Sequence, residues 1–133
     1  SALLEAEDAE LPVKLLMVSD KMEEPNLPAE LQARFGLGVH VGRTHPSLCE
    51  ITSAGVDKGS GVAHLLEMLQ VEPARVLAIG DNDNDVPMFR QVGFPVAMAN
   101  GSPHAKEAAR WIAPDIHASG ASRALRHLVL GEE

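Results

Sequence analysis

A short apolar run at residues 76–79 leads directly into Gly80 and then into a segment of carboxylate and amide side chains, residues 81–85. A continuous apolar run bounded by turn residues is typical of a buried strand. In open α/β sheets, ligands bind at the carboxyl ends of the strands, which is where this acidic segment falls. Because clustered carboxylates repel one another unless a positive charge offsets them, the segment predicts a site for a cation or an ammonium group.

Strand-like and helix-like patterns alternate along the rest of the chain. Apolar runs or period-two alternation predict strands at residues 13–18, 37–42, 48–53, 76–79, 95–98 and 111–113. Amphipathic spacing and capping residues predict helices that begin near Asn26, Ser60, Asp85, Ser102 and Ala121. We therefore expect an α/β chain with a β-α-β-β unit over residues 1–55. Residues 56–133 are expected to form part of a doubly wound, Rossmann-like parallel sheet.

The acidic segment admits more than one interpretation. As a calcium loop, Asp81, Asp83 and Asp85 fit the first, third and fifth positions, but Val86 and Val92 stand where glycine and glutamate are required. Hard oxygen ligands at the end of a strand favour Mg²⁺ instead. A solvated turn without a ligand is the remaining alternative.

Lys58 precedes Gly59-Ser60-Gly61 at a predicted helix start. A lysine beside a helix N-terminus is unfavourable for the helix dipole, which indicates an anion held between the ammonium group and the backbone amides. The segment is not a Walker loop, in which the lysine follows the glycines. It is not a dinucleotide-binding fingerprint either, because His64 occupies the place of the third glycine. Alone, a surface lysine is the more common explanation.

Composition excludes several classes of function. The formal net charge of −8 and an aromatic content of 3% argue against nucleic-acid binding, which needs positive charge and stacking surfaces. No apolar run approaches the length that crosses a bilayer, so no membrane association is expected. A single cysteine, Cys49, excludes an internal disulfide and suits a reducing compartment. We therefore expect a cytoplasmic protein.

The order of lysine, amphipathic helix, apolar strand and Gly-Asp-x-x-Asn-Asp resembles the haloacid dehalogenase superfamily, in particular its Cof-type (subclass IIB) phosphatases. The similar segments are residues 57–61, 76–89 and 93–101. The resemblance implies a Mg²⁺-dependent phosphatase acting on small phosphorylated metabolites. Residues 1–55 would be part of an α/β cap, and residues 56–133 would be the carboxy-terminal part of the core.

The resemblance also implies roles for individual residues. Lys58 would be the catalytic lysine that steadies the phosphate and the nucleophile. Asp81 and Asp85 would form the Mg²⁺ site, and Asn84 would contact the phosphate. Arg43 and Glu50, on the predicted cap strands, are candidates for contact with the substrate.

The nucleophile motif of the family is absent from this sequence. In the family an aspartate attacks the phosphoryl group, and a second aspartate two residues later protonates the leaving oxygen. Asp20 ends a predicted strand, but Met22 occupies the place of the second aspartate. The chain thus resembles the carboxy-terminal part of a phosphatase, and we expect it to be inactive alone. Whether it is an enzyme by itself stays open.

The absence of the upstream strands leads to two further expectations. Without them, the strand at residues 76–79 has an unpaired apolar edge, which predicts self-association or a complementing amino-terminal segment. The alternative function is a non-catalytic α/β binding or assembly module that retains the phosphate and metal pocket.

Overall fold

The computed structural model describes residues 13–18, 26–45 and 47–132. The described residues fall into two compact units, which are divided between Gly55 and Val56. Asp20 and Met22, which the sequence analysis compared with the nucleophile motif, lie outside the described residues. Within the described part of the chain, no helix is both long and apolar enough to cross a membrane.

The first unit has one helix and an antiparallel sheet. Its elements are β1 (Lys14–Val18), α1 (Leu27–Phe35), a 3-10 turn (Gly36–Gly38), β2 (Val39–His45) and β3 (Leu48–Ser53). β3 is the central strand and pairs antiparallel with both β1 and β2. The β-α-β-β order agrees with the sequence prediction, although β2 begins two residues later than predicted because Leu37 lies in the exposed 3-10 turn.

Gln32 ties α1 to the sheet of the first unit. Its side-chain amide donates to the carbonyl oxygens of Gly36 at 2.7 Å and Val39 at 2.9 Å. Its Oε1 accepts from the backbone N–H of Val41 at 3.0 Å. One amide side chain therefore satisfies three backbone groups at the junction of helix and strand, where secondary structure leaves such groups unpaired.

The second unit alternates helices with the strands of a parallel sheet. Its elements are α2 (Lys58–Leu69), β4 (Leu77–Gly80), α3 (Val86–Phe89), β5 (Phe94–Met98), α4 (Pro103–Ala108), β6 (Trp111–Ala113) and α5 (Gly120–Leu125), which a π-helical turn continues (Arg126–Leu130). The strand order is β4-β5-β6, and both pairs are parallel. The carboxyl ends of these three strands therefore lie at the same edge of the sheet.

Alternation along β5 creates two hydrophobic layers. Val96 and Met98 pack on one face with Ala124 of α5, whereas Ala97 packs on the opposite face with Phe89 of α3. Successive side chains of a strand point to opposite faces, so a fully buried strand needs apolar cover on both. Helices lie on both faces, and the predicted doubly wound arrangement is confirmed.

β4 stands at the edge of the described sheet. Among the described residues, it pairs with β5 alone. Its side chains are partly buried, and those of Leu77 and Ile79 pack against the core that contains Val96. The strand thus presents a row of backbone groups that the described part of the sheet does not pair.

The start of α2 packs closely against α3. Because of this contact, alanine substitutions at two glycines of α2 should have opposite effects on stability. A Cβ atom added at Gly59 would lie 2.6 Å from the carbonyl oxygen of Pro87, whereas one added at Gly61 would meet no atom within 4 Å. We expect Gly59→Ala to lower the free energy of unfolding by about 1–3 kcal/mol through overpacking. The matched Gly61→Ala should raise it by about 0.5–1 kcal/mol, because alanine is the better helix former. Denaturant unfolding measures both, and an equal effect at the two positions would contradict the packing.

Candidate functional site

The acidic segment forms a tight loop between β4 and α3. Asn82 caps a 3-10 turn, Asp83–Asp85, with its side-chain oxygen accepting from the N–H of Asp83 at 2.8 Å. The backbone N–H of Asp85 donates to the carbonyl oxygen of Asn82 at 2.9 Å. The sequence places capping side chains where the strand ends, so the chain turns at once and brings Asp85 back to the end of β4.

Asp85 is the buried centre of this loop, with 3% of its surface exposed. Its Oδ2 accepts from the backbone N–H groups of Asp81 at 2.8 Å and Asn82 at 3.0 Å, and its Oδ1 accepts from Nζ of Lys58. Gly80 makes room for the carboxylate, because a Cβ there would lie 2.6 Å from the Asp85 side chain. Burial alone would raise the pKa of Asp85, but the hydrogen bonds from Lys58, Asn82 and Asp81 outweigh burial and lower the pKa.

Lys58 reaches this carboxylate from the first turn of α2. Asp57 caps the helix, with its Oδ1 accepting from the N–H of Ser60 at 2.8 Å, and the Ser60 hydroxyl accepts from the N–H of Asp57 at 3.0 Å. This capping box starts the helix at Lys58, two residues before the predicted Ser60. The anion beside Lys58 in this structure is the carboxylate of Asp85, while about half of the lysine side chain stays exposed.

Two further oxygen donors lie on the same loop. The carboxylate of Asp81 is exposed immediately after β4. Oδ1 of Asn84 is buried and has no hydrogen-bond partner among the described residues. Mg²⁺ in proteins takes one or two carboxylates together with water and substrate phosphate, so these donors fit a magnesium site.

Asp85 has less freedom to contact a metal than Asp81. Its Oδ2 already accepts two backbone N–H groups, so only Oδ1, which accepts from Lys58, has an acceptor site left for a cation. Within the described part of the chain, no three His, Cys, Asp or Glu side chains are grouped to hold a metal ion. A role for Asp85 in the metal site stays a prediction.

A contact that was not predicted from the sequence joins the loop to α4. The hydroxyl of Ser102, at the N-cap of α4, donates to Oδ1 of Asp83 at 2.5 Å, and Nδ1 of His104 lies 3.3 Å from the other Asp83 oxygen. The bond from Ser102 is the main cause of a lowered pKa at Asp83, partial burial opposes it, and His104 adds to it. The sequence showed only that Ser102-Pro103 starts a helix. Nothing in it indicated the second partner of the hydroxyl, which lies 19 residues away.

The two predicted cap contacts lie in the first unit. Glu50 on β3 forms an ion pair with Lys14 at 3.0 Å. Arg43 lies on β2 opposite Cys49, whose thiol is free and fully buried. Contact of Arg43 or Glu50 with a substrate stays a prediction.

The Lys58–Asp85 pair predicts a stability effect that depends on a buried charge. Lys58→Met keeps most of the volume of the side chain but removes a donor from a buried carboxylate. We expect the free energy of unfolding to fall by about 1–3 kcal/mol at neutral pH. Lys106→Met on α4, whose ammonium lies 3.4 Å from the carbonyl oxygen of Ala99, is the control and should change it by less than about 0.5 kcal/mol.

The sign of the pH dependence follows from the lowered pKa of Asp85. Its stabilisation is present above the pKa of an unfolded aspartate, about 3.9. This stabilisation is lost as the pH falls through the lower pKa that Asp85 has in the folded protein. The unfolding free energies of the wild type and Lys58→Met should therefore converge in acid. A difference that stays constant from neutral pH into acid would contradict the assigned pair.

The chain is similar in sequence to known phosphatases. It is 33% identical over 107 residues to the phosphoglycolate phosphatase of Methanothrix thermoacetophila, a match that covers 80% of this chain and 43% of that protein. The chain thus spans less than half the length of this relative.

Solved structures agree in fold. A haloacid dehalogenase-like hydrolase from Bacteroides thetaiotaomicron superposes with a TM-score of 0.74 at 32% identity, over 91% of this chain and 46% of that one. A HAD/COF-like hydrolase from Plasmodium vivax gives a TM-score of 0.78 at 29% identity, over 90% of this chain and 42% of that one. The Cof-type resemblance inferred from the motifs is confirmed.

The family assignment rests on nearly the whole sequence. The sequence model of the haloacid dehalogenase-like hydrolases matches residues 2–125, which include Lys58 and the loop at residues 81–85. The chain therefore belongs to the haloacid dehalogenase-like hydrolase family.

Proposed function

We propose that this chain supplies the lysine and metal-binding part of a Mg²⁺-dependent phosphatase site for small phosphorylated metabolites. The observation that carries the proposal is the contact of Lys58 with Asp85, which brings the start of α2 onto the acidic loop at the end of β4. Phosphatases among the relatives support the reaction class, and the name of one, phosphoglycolate phosphatase, supports a small phosphorylated substrate.

Each residue has a role in this proposal. Asp81, with the unpartnered oxygen of Asn84 on the same described loop, would hold Mg²⁺, which offsets the negative charge of the transferring phosphoryl group when bound. The half-exposed ammonium of Lys58 would bind a phosphate oxygen. Asp85 orients that ammonium and fixes the two amides that begin the loop. These side chains bind and orient the substrate, and none of them is placed as the attacking nucleophile.

The nucleophile would come from a strand outside the described residues. The sequence has no Asp-x-Asp-Gly-Thr motif, and the chain spans less than half of its relative. We propose that residues 1–55 belong to a cap, that residues 56–133 belong to the core, and that turnover needs a strand that carries this motif. A buried free thiol at Cys49 suits the reducing cytoplasm that we propose as the compartment.

The site assignment is tested in the protein expressed from the complete reading frame. Release of phosphate from p-nitrophenyl phosphate in the presence of Mg²⁺ should fall by about 100-fold or more for Asp81→Ala and for Lys58→Ala, because each removes charge stabilisation of the transferring group. Glu107→Ala and Lys106→Ala on α4 are matched controls for charge and should retain activity. Unchanged phosphate release by Asp81→Ala would overturn the site. A reading frame without an Asp-x-Asp strand would favour the non-catalytic binding module.

We also propose that the free edge of β4 is covered by a strand from another segment or from a second copy. The described sheet pairs β4 on one side alone, and its side chains belong to the apolar core. Light scattering of the 133-residue chain should give a mass above the 14.2 kDa of one copy that rises with protein concentration. A mass of one copy at every concentration, with helix and strand content intact by circular dichroism, would count against this proposal.

A further inference from the structure

The turn before α4 packs directly on the backbone of Asp81. The N–H of Ser102 donates to the carbonyl oxygen of Asp81 at 2.8 Å. A Cβ added at Gly101 would lie 2.8 Å from that same oxygen, so the two segments approach closely. The residue proposed to hold the cation is therefore held on its carbonyl side by a turn that follows a different strand.

Ser102 makes a second link to the same loop. Its hydroxyl accepts from the N–H of Ala105 at 3.1 Å, which caps α4, and donates to Oδ1 of Asp83 at 2.5 Å. The nearby His104 contributes less to this link. The side chains of His104 and Asp83 are 72% and 53% exposed, and exposed ion pairs of this kind contribute little to stability.

We propose that Ser102 is a positioning residue of the site, which fixes the loop at residues 81–85 through the carbonyl of Asp81 and the carboxylate of Asp83. The consequence for cation binding rests on the proposed function, whereas the effect on the loop does not. Ser102 touches no reacting atom and acts through these two residues.

Two sets of hydrogen bonds orient the loop at residues 81–85. The Asp85 carboxylate holds the loop from inside, by the N–H groups of Asp81 and Asn82. Nothing in that contact fixes the outer side of the loop, where Asp83 projects. Ser102 bonds to that outer side, so the loop is held from two directions. Metal ligands must be placed to within about 0.5 Å, and loss of a supporting hydrogen bond typically costs about 10–100-fold in metal affinity.

The first test measures the loop itself in the 133-residue chain, by amide hydrogen exchange resolved by NMR. Ser102→Ala should accelerate exchange at the amides of Asp81, Asn82 and Asp85 by about fivefold or more, since local opening becomes easier. Ser102→Thr keeps the hydroxyl and should exchange as the wild type does. Ser122→Ala, an exposed serine of α5, is the matched control and should change none of these amides.

Loss of the helix cap must be separated from loss of the link to the loop. Asp83→Ala removes the side-chain link from the Ser102 hydroxyl, but it leaves that hydroxyl free to cap α4 and keeps the backbone bond to the carbonyl of Asp81. It should accelerate the same loop amides while the Ala105 amide stays protected, whereas Ser102→Ala should expose Ala105 as well. Unchanged loop amides in both variants, or failure of Ser102→Thr to restore protection, would overturn the proposal.

The second test uses Mn²⁺ as the probe cation, followed by paramagnetic broadening of the loop amides. Ser102→Ala, which changes no charge, should weaken Mn²⁺ binding by about 10-fold or more. Loop amides that exchange faster with unchanged Mn²⁺ affinity would overturn the positioning role. If the wild type binds no Mn²⁺, the proposed metal site fails, and the exchange experiment still decides whether Ser102 fixes the loop.

Discussion

The buried carboxylate of Asp85 is the group on which the arrangement of the second unit depends. A buried charge is costly unless donors replace the water that it loses. Here the donors are two backbone N–H groups of its own loop and the ammonium group of Lys58. Satisfying one carboxylate therefore joins the loop after β4 to the start of α2, where Lys58 lies 27 residues before Asp85 in the chain.

Close packing makes that contact possible. Two glycines lie where any side chain would collide, Gly80 against Asp85 itself and Gly59 against Pro87. Gly80 thus makes room for a buried side chain, and Gly59 lets two backbone segments approach closely. The sheet also determines where the loop lies. The alternating side chains of β5 pack against helices on both faces of the sheet. Ligand sites of such sheets lie at the carboxyl ends of the strands. The loop at residues 81–85 lies at this edge of the sheet.

The candidate site has one buried charged group and two that are exposed or half-exposed. Asp85 is committed to structure, whereas the carboxylate of Asp81 and half of Lys58 are accessible. The proposed phosphoryl-transfer site would need such a division, in which fixed groups orient and accessible groups bind. The chain belongs to the haloacid dehalogenase-like hydrolase family, and its match covers 43% of the length of one relative.

Much of the fold and several residues of the candidate site could be predicted from local sequence patterns. Apolar runs, helix caps and the order of Lys58 before Gly-Asp-x-x-Asn-Asp determined the element types, the parallel sheet and the candidate residues, because those signals reside in neighbouring residues. Element ends shifted by about two residues, as at α2, where the capping box of Asp57 and Ser60 extends the helix to Lys58.

Only the tertiary structure decided which groups meet. It paired Lys58 with Asp85, left Oδ1 of Asn84 without a partner among the described residues, and joined Ser102 to Asp83. A sequence pattern states what each side chain can donate or accept, but these contacts span up to 27 residues. They form because the parallel strands bring their carboxyl ends to one edge of the sheet, a consequence of packing that no single segment contains.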